Sequence, residues 1–422
     1  MFISNLYPPN VIGGYERLCF EVVSALVDRG HEAVVLTSDY GGRVADYPGQ
    51  EVHRRLRLLA GVDIYAPLTC SDQERADINR VNIETGQRLI AECRPDAIFI
   101  WNLFFLDKSF IASLSGQTKR QPLLMLTDNW LIVMLNPEFM SNFFRDRVFS
   151  DNPYSRASGA HERPGAISAR ARQYLRRLVD TPRAPTPLPF RAAFGSKFMR
   201  ELYAASGIRF TDSRVVHNGV RQPPRPPEAF RDRSRLVEDN ELRLLFAGRL
   251  VDLKGVHTAV EAMAYITGME LGGRFVRLTI VGDRGDTAYV ERLGQLIAQS
   301  PCASQIELRD PVPESDLFAL FQTHDTYLFP SLYEPFSLTL IHALAAGIPT
   351  VATNIGGNIE IVCDRETGLL FQKGDPRDLA RAVQQLATDN ALRAHLGENA
   401  RRAAKSFTFE KMVTQMEQFL AG

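Results

Sequence analysis

The chain has 422 residues, 45% hydrophobic and 23% charged, a composition typical of globular proteins that bury a sizeable core. Its 49 lysines and arginines balance its 49 aspartates and glutamates, which argues against a protein that coats nucleic acid or binds another extended polyanion. The length corresponds to two or three domains.

The cysteines and the apolar segments indicate the cellular compartment of the protein. The five cysteines are odd in number and form no CxxC pair, so we expect a reducing compartment and neither a disulfide framework nor a zinc ribbon. The chain runs from Met1 into Phe2-Ile3 and soon reaches Pro8-Pro9, so we expect no signal peptide. It contains no run of about 18 uncharged apolar residues, so we expect no membrane-spanning helix. These features predict a cytoplasmic protein.

Short apolar runs alternate with helical patterns in the first half of the chain. A helix is predicted over Tyr15–Arg29, with Gly30 as its stop. The runs Ala33–Thr37, Ala97–Trp101 and Leu123–Thr127 predict buried parallel strands, because their apolar residues are continuous rather than alternating.

A second alternating series follows in the other half of the chain. Its strands are predicted at Arg243–Ala247, Val276–Val281, Ile306–Leu308, Thr326–Phe329 and Thr350–Thr353. Helices are predicted between them, as at His257–Ile266 and Tyr289–Gln299, and a last amphipathic helix at Phe409–Leu420. Two such series predict an α/β protein with two doubly wound parallel-sheet domains.

The composition also marks a boundary and one irregular stretch. Four prolines within Gln222–Pro227 predict a stiff linker at 222–241, because they fit neither a helix interior nor a central strand. Met134–Arg200 holds twelve basic and five acidic residues. It is either a solvated helical insertion or a surface for an anionic acceptor or a membrane face, and the sequence favours neither.

Two segments place chemistry next to predicted strands. Gly13-Gly14 lies just before the first helix, where glycines let backbone amides approach a ligand and the helix start offers free N–H groups. Arg249 and Lys254 follow the strand Arg243–Ala247, where two cations suit a diphosphate leaving group. Each segment alone is also consistent with an ordinary turn or surface loop.

The segment Phe329–Pro349 carries the strongest signal. A strand ends at Phe329, a loop carries Glu334, and a helix begins near Ser337, whose hydroxyl suits an N-cap. A carboxylate before a helix start can bind sugar hydroxyls while the free amides bind phosphate. Gly356-Gly357, followed by Asn358-Ile359-Glu360-Ile361, repeats the glycine-then-helix arrangement.

Five motifs in this order resemble those of family 4 retaining glycosyltransferases. They are Tyr7-Pro8-Pro9 with Gly13-Gly14, His217-Asn218-Gly219-Val220, Gly248-Arg249 with Lys254-Gly255, Pro330-Ser331 with Glu334-Pro335-Phe336, and Gly356-Gly357 with Glu360-Ile361. The resemblance implies the GT-B fold, in which two Rossmann-like domains face each other across a cleft. It implies an acceptor-binding domain at 1–221, a nucleotide-sugar-binding domain at 242–406 and a C-terminal helix at 407–422 that returns to the first domain.

The same resemblance assigns roles to individual residues. Arg249 and Lys254 match the residues that hold the diphosphate, and Glu334 matches the glutamate that contacts the donor sugar; these three form the implied catalytic set. The other residues implied to bind the donor are Gly13, Gly14, Val312, Phe336, Ser337, Leu338 and His342. Thr127, Asp128 and Trp130 are assigned to the acceptor.

The chain departs from the family pattern at four of its positions. His342 stands where the family usually has a second glutamate for the ribose, and histidine can also donate and accept hydrogen bonds. Thr127 stands where the family often has a histidine, while Ser337 and Asp310 replace common glycines.

The resemblance implies a hexosyltransferase that moves a sugar from a nucleotide-diphosphate-sugar to an acceptor hydroxyl with retention of configuration. No metal and no cofactor beyond this co-substrate is expected, because the chain lacks an Asp-x-Asp triplet and cations with helix ends supply similar electrostatics. The acceptor is a small molecule, a glycan or a lipid-linked molecule, and peripheral contact with the inner face of a membrane stays open. Two alternatives remain: a non-catalytic sugar-nucleotide-binding subunit, and an epimerase or phosphorylase of the same fold.

Overall fold

A computed structural model describes residues 1–62, 64, 68–149, 187–221 and 240–422. The described residues divide into two compact units. The N-terminal unit comprises Met1–Phe194, Arg200–Arg214 and Leu420–Gly422, and the C-terminal unit comprises Gly195–Met199 and Val215–Phe419. Nearly all of the predicted linker 222–241, and residues 150–186 of the basic stretch, lie outside the described residues.

The N-terminal unit is built on a seven-stranded sheet with the order β3-β2-β1-β4-β5-β6-β7. Its strands are β1 (Phe2–Ile3), β2 (Ala33–Ser38), β3 (Gln50–Leu56), β4 (Phe99–Ile100), β5 (Leu123–Leu126), β6 (Leu188–Phe194) and β7 (Phe210–Val215). Its helices are α1 (Gly14–Asp28), α2 (Asp72–Cys93), α3 (Lys108–Ser113), α4 (Trp130–Leu135), α5 (Pro137–Phe143) and α6 (Lys197–Ala205), which begins in the C-terminal unit. All pairings from β3 to β6 are parallel.

The C-terminal unit is built on a six-stranded parallel sheet with the order β10-β9-β8-β11-β12-β13. Its strands are β8 (Glu241–Ala247), β9 (Phe275–Val281), β10 (Ile306–Arg309), β11 (Thr326–Phe329), β12 (Thr350–Thr353) and β13 (Leu369–Phe371). Its helices are α7 (Val256–Ile266), α8 (Thr287–Gln299), α9 (Glu314–Gln322), α10 (Leu338–Ala346), α11 (Asn358–Ile361), α12 (Pro376–Thr388), α13 (Asn390–Ala404) and α14 (Phe409–Ala421), whose last two residues belong to the N-terminal unit.

The strands of this second sheet are buried because helices cover both of their faces. Leu244 belongs to one apolar core with residues of α7, α8 and α12, while its neighbour Leu245 belongs to a second core with residues of α9, α10 and α13. Adjacent strand residues point to opposite faces, so a continuous apolar run is what two helical layers require.

Both sheets reverse their strand order at one point, between β1 and β4 in the first and between β8 and β11 in the second. In open α/β sheets, ligands bind beyond the carboxyl ends of the strands at such a reversal. The fold therefore predicts that ligands bind at the loops after β1, β8 and β11.

The predicted alternation of strands and helices is confirmed. Each predicted strand and helix overlaps one in the structure, and their ends differ by two residues at most. The prediction missed β3, β6, β7 and β13, and it gave no bounds for the two-residue β1 that precedes Gly13. Because β6 (Leu188–Phe194) is an inner strand, the interpretation of the basic stretch as a helical insertion is wrong for these residues. No helix among the described residues has the length and apolar character needed to cross a membrane.

Candidate functional site

The candidate site of the C-terminal unit is formed by the loops after β8 and β11. These strands are paired neighbours, with Thr326 opposite Leu244 and Tyr327 opposite Leu245. The loop after β8 leads into a single 3-10 turn at Asp252–Lys254, and the loop after β11 carries Glu334 towards α10. The reversal of strand order thus brings two of the predicted motifs together.

Lys254 and Glu334 form a close ion pair, with Nζ of the lysine 2.5 Å from Oε2 of the glutamate. Both side chains are largely shielded, since that of Lys254 is 18% exposed and that of Glu334 is 7% exposed. The hydroxyl of Ser331 donates to the same Oε2 at 3.4 Å, and the ammonium group lies 5.3 Å from the ring centroid of Phe329. The glutamate therefore holds the lysine at the carboxyl end of β11.

Backbone contacts fix the two loops against each other. The N–H of Leu332 donates to the carbonyl of Leu253 at 2.8 Å. Gly255 ends the turn with φ at +60°, and a Cβ on this residue would lie 2.1 Å from the carbonyl oxygen of Pro330. Only glycine combines this left-handed backbone with so close an approach. The glycine beside Lys254 is thus required by the geometry of the turn.

Arg249 differs from Lys254 in its surroundings. Its side chain is exposed, and no described residue forms a hydrogen bond or ion pair with it. It follows β8 by two residues, at the same carboxyl edge of the sheet as Lys254. The site therefore offers one cation held by a carboxylate and one open to an anionic ligand.

The N-terminus of α10 adds hydrogen-bond donors to these cations. Ser337 is its N-cap, as predicted, and its hydroxyl oxygen accepts from the N–H of Leu340 at 3.1 Å. Within the described chain, the N–H groups of Phe336, Ser337 and Leu338 donate to no other group. Free amides at the positive end of a helix dipole favour a negatively charged group.

Two more of the predicted donor residues, His342 and Val312, belong to the C-terminal unit. His342 is the fifth residue of α10 and is half-buried, one turn into the helix as the spacing predicted. Val312 is exposed in the loop between β10 and α9. The loop after β12 approaches as well, because the N–H of Gly357 donates to the carbonyl of Glu334 at 2.9 Å.

A network around Glu360 was missed by the sequence reasoning. The carboxylate of Glu360 accepts from the N–H groups of Lys197 and Phe198, both at 2.8 Å, and lies 3.0 Å from Nε2 of His217. The His217 ring in turn stacks on Phe336. His217 and Glu360 belong to two separate sequence motifs, and only the structure joins them, beside Phe336, whose N–H is one of the free amides.

The predicted residues of the N-terminal unit lie in two segments, one from the loop after β1 to the start of α1 and one from the loop after β5 to the start of α4. The N–H of Gly13 donates at 3.0 Å to the carboxylate of Glu16, a buried residue in the first turn of α1. Burial raises the pKa of Glu16, although the N–H groups around the carboxylate oppose the shift. A Cβ at Gly13 would meet no atom within 4 Å, so the space beside this loop is open.

Tyr15, the second residue of α1, connects the start of this helix to the end of β5. Its hydroxyl donates to the carbonyl of Met125 and its ring lies edge-on to Trp101. Burial raises its pKa well above the usual range and Asp128 adds to this rise, while the side chains of Thr127 and Trp130 oppose it. The structure thus groups the three predicted acceptor residues around Tyr15, which the sequence reasoning did not select.

Two further contacts order the loop after β5. The N–H of Trp130 donates to the carboxylate of Asp128 at 3.0 Å, and the hydroxyl of Tyr203 donates to the carbonyl of Asp128 at 3.1 Å. Among the described residues, no three His, Cys, Asp or Glu side chains are placed to hold a metal ion.

Two family models match the chain. Glycosyltransferase Family 4 matches residues 12–222, and Glycosyl transferases group 1 matches residues 228–403. The D-inositol 3-phosphate glycosyltransferase of Streptomyces avermitilis is 35% identical over 203 residues. That match covers 46% of this chain and 44% of the relative, so the chain matches less than half the length of this protein.

Solved structures resemble the whole chain. Sucrose-phosphate synthase from Thermosynechococcus elongatus superposes with a TM-score of 0.72 at 20% identity, covering 99% of this chain and 97% of that one. Anabaena HepE, solved in complex with UDP and glucose, gives a TM-score of 0.63 at 19% identity, covering 100% of this chain and 98% of that one. At these identities the likeness shows the fold alone, and it confirms the expected GT-B architecture of two Rossmann-like domains.

Proposed function

Because the chain belongs to glycosyltransferase family 4, with the group 1 model matching its C-terminal half, we propose that it transfers a sugar from a nucleotide-diphosphate-sugar to an acceptor hydroxyl. The transfer retains the configuration of the anomeric carbon. The donor binds in the C-terminal unit and the acceptor in the N-terminal unit.

One observation carries this proposal: cations and free amides converge beyond the carboxyl ends of β8 and β11. Lys254 is held there by Glu334, and the N–H groups at the start of α10 have no acceptor within the described chain. A diphosphate satisfies both features, because it brings negative charge to the cations and oxygen acceptors to the amides. The reversal of strand order at this place is where the fold accommodates a ligand.

Each residue of the site has a role in the proposed transfer. The bond between the anomeric carbon and the diphosphate oxygen breaks, and its electrons leave with the diphosphate. Arg249 and Lys254 stabilise this developing charge. Oε2 of Glu334 is occupied by Lys254 and Ser331, so Oε1 is the atom assigned to a sugar hydroxyl. The acceptor oxygen bonds to the anomeric carbon on the face that the diphosphate leaves, and its proton passes to a diphosphate oxygen.

The acceptor side of the proposal rests on the loops after β1 and β5. Thr127, Asp128 and Trp130 are grouped there around Tyr15, near the helix start that follows Gly13. HepE has been solved with UDP and glucose, and the Streptomyces relative is a D-inositol 3-phosphate glycosyltransferase. We therefore propose UDP-sugars as the first donors to test, and polyol phosphates beside glycans and lipid-linked molecules as the first acceptors.

Two measurements test the function. Nucleoside diphosphates and their sugars are screened by thermal shift; a ligand at a hundred times its dissociation constant adds about 2.7 kcal/mol of stability. The ligands found are then incubated with the acceptors, release of the nucleotide is followed, and the anomeric configuration of the product is read by NMR. Nucleotide release with an α-linked product from an α-linked donor is the expected result. Binding without turnover of any acceptor would favour a non-catalytic subunit, and an inverted product would contradict retention.

A further inference from the structure

Helix α8 contacts the Lys254 turn on its N-terminal side. The guanidinium of Arg292 lies 2.8 Å from Oδ2 of Asp252, the first residue of the 3-10 turn whose last residue is Lys254. The guanidinium carbon also lies 5.6 Å from the ring centroid of Tyr289, on the same helix. Residues three apart share one face of a helix, so Tyr289 and Arg292 present a single surface to the turn.

The same helix contacts the chain on the other side of the turn. The hydroxyl of Tyr289 accepts from the backbone N–H of His257 at 3.2 Å and lies 3.1 Å from Nδ1 of its ring. Both side chains are buried, and their rings meet edge to face. Burial, assisted by the charge of Arg292, lowers the pKa of His257 to about 4, so its ring is neutral at pH 7 and Nδ1 can accept the proton of the tyrosine hydroxyl.

From these contacts we infer that Arg292 and Tyr289 are positioning residues for Lys254. They hold Asp252 on one side of the lysine and His257 on the other, while Glu334 holds the ammonium group itself. The inference rests on the proposed function, in which Lys254 binds the diphosphate of the donor. Neither residue belongs to the motifs that carry the family resemblance.

The turn has few other means of keeping its shape. It is a single 3-10 turn, and among the described residues its ties to the loop after β11 are the backbone hydrogen bond between Leu332 and Leu253 and the Lys254–Glu334 pair itself. A displacement of about 1 Å of a catalytic group is enough to cost a large factor in rate. The Arg292–Asp252 pair is itself partly exposed, with side chains 34% and 23% exposed, and such a pair adds little to global stability. Its loss should therefore be visible in donor binding rather than in melting.

The test compares Arg292→Met with Arg381→Met. Arg381 is also an arginine paired with an aspartate, Asp378 at 2.9 Å, but it lies on α12 and contacts no part of the turn. UDP, ADP and GDP are titrated into each purified full-length variant by calorimetry. For whichever of the three binds the wild type, we expect Arg292→Met to raise the dissociation constant roughly tenfold, Arg292→Lys to restore part of the loss, and Arg381→Met to change nothing.

A second comparison shows whether Arg292 acts through the lysine. In a Lys254→Ala background, Arg292→Met should cost no further affinity, because the residue that it positions is gone. Equal affinity in Arg292→Met and wild type, or the same tenfold loss with and without Lys254, would overturn the inference while leaving the proposed function standing. If the wild type binds none of the nucleotides, the proposed function itself fails.

Tyr289→Phe gives an independent check. Its hydroxyl is removed while the ring and its packing remain, and we expect a weaker dissociation constant for the same nucleotide together with a lower melting temperature, because the N–H of His257 loses its acceptor. A lower melting temperature with unchanged nucleotide affinity would assign Tyr289 a purely structural role.

Discussion

The imidazole of His217 stacks on the ring of Phe336, with ring centroids 5.1 Å apart and planes inclined by 7°. Nε2 of the same imidazole lies 3.0 Å from the carboxylate of Glu360, which also binds the first N–H groups of α6. The amide of Phe336 is one of the three assigned to the donor phosphate. The stack thus connects that amide to a carboxylate that is itself held by three donors.

Glu360 should make stability depend on pH. Burial opposes its ionisation, but the hydrogen bonds from His217 and from the N–H groups of Lys197 and Phe198 outweigh burial and lower its pKa below the ordinary 4.5. A carboxyl group with a lowered pKa stabilises the folded chain above its unfolded-state value and loses this contribution as pH falls through the folded-state value. The free energy of unfolding of wild type should therefore exceed that of Glu360→Gln above pH 4.5.

Chemical denaturation of both proteins between pH 3 and 7 checks this. The difference between them should shrink as the solution is acidified below pH 4.5. Glu291→Gln, on the exposed side of α8, is the control for the removal of one carboxylate. A difference that stays constant across the range would contradict the role of the ionised carboxylate.

Arg249→Ala and Lys254→Ala should both weaken donor binding, but only one should affect the fold. Removing a charge-assisted contact to the diphosphate costs about 1.5–3 kcal/mol, so each variant should bind the donor at least tenfold more weakly. Lys254→Ala also leaves Glu334 buried without its cation and should lower the melting temperature, whereas Arg249 is exposed and its loss should not. Calorimetry with the donor measures the loss of binding, and melting without ligand measures the effect on the fold. Unchanged kinetics with the donor in both variants would refute the diphosphate assignment.

His342→Ala should raise the Michaelis constant of the donor with little change in melting temperature. The side chain is half-buried, one turn into α10, where the family usually has a glutamate for the ribose. His342→Glu should retain more activity than His342→Ala, because a carboxylate also accepts from ribose hydroxyls. A fall in the melting temperature of His342→Ala without a change in donor affinity would show a packing role instead.

Two glycine substitutions should show which glycine is required for stability and which is required only for activity. Gly255→Ala forces a Cβ into the carbonyl of Pro330 at a left-handed backbone position, so it should lower both the melting temperature and donor affinity. Gly13→Ala meets no atom within 4 Å and has extended backbone, so its melting temperature should equal that of wild type. Turnover by Gly13→Ala should nevertheless fall, because the methyl group enters the open space beside a loop that the family resemblance assigns to donor binding. Normal turnover would remove Gly13 from the site.

Activity should persist in excess chelator. Lys254, Arg249 and the amides at the start of α10 are proposed to take the role that a divalent ion has in other transferases. The measurement is initial rate with and without EDTA, followed by addition of magnesium or manganese. Complete loss of activity on chelation, with recovery when either ion is added, would show that a divalent ion balances the charge on the diphosphate.

The sequence predicts the strands that are buried on both faces, because these are continuous apolar runs. It does not predict the strands that contain charged residues or proline. The strand β11, Thr326–Phe329, is wholly buried and reads as a continuous apolar run. The strand β3, Gln50–Leu56, lies at the sheet edge and contains three charged residues and a histidine, so its pattern resembles a loop. In β6, Pro189 and Arg191 make the pattern of an inner strand hard to recognise in the sequence. The proline precedes the segment that pairs with β5, which begins at Arg191, so the missing N–H of the proline removes no hydrogen bond between these two strands.

The candidate site was predictable where motifs follow strands and unpredictable where it depends on distant contacts. Arg249, Lys254 and Glu334 each stand at the end of a recognisable strand, and the pairing of β8 with β11 brings their loops together. Arg292 lies 40 positions from Asp252, and Lys197 lies 163 positions from Glu360. No local pattern in the sequence indicates such partners, because they are set by how helices pack on the sheet.

The position of His217 bears on how members of this family could be recombined. A chimera joined within residues 222–239 would inherit position 217 from one parent and position 360 from the other. The hydrogen bond between these positions, and the stack on Phe336, would then depend on residues that never evolved together. Swapping acceptor halves between relatives therefore calls for residues 195–199 and 215–221 to come from the parent that supplies the donor half, and residues 1–194 and 200–214 from the other parent.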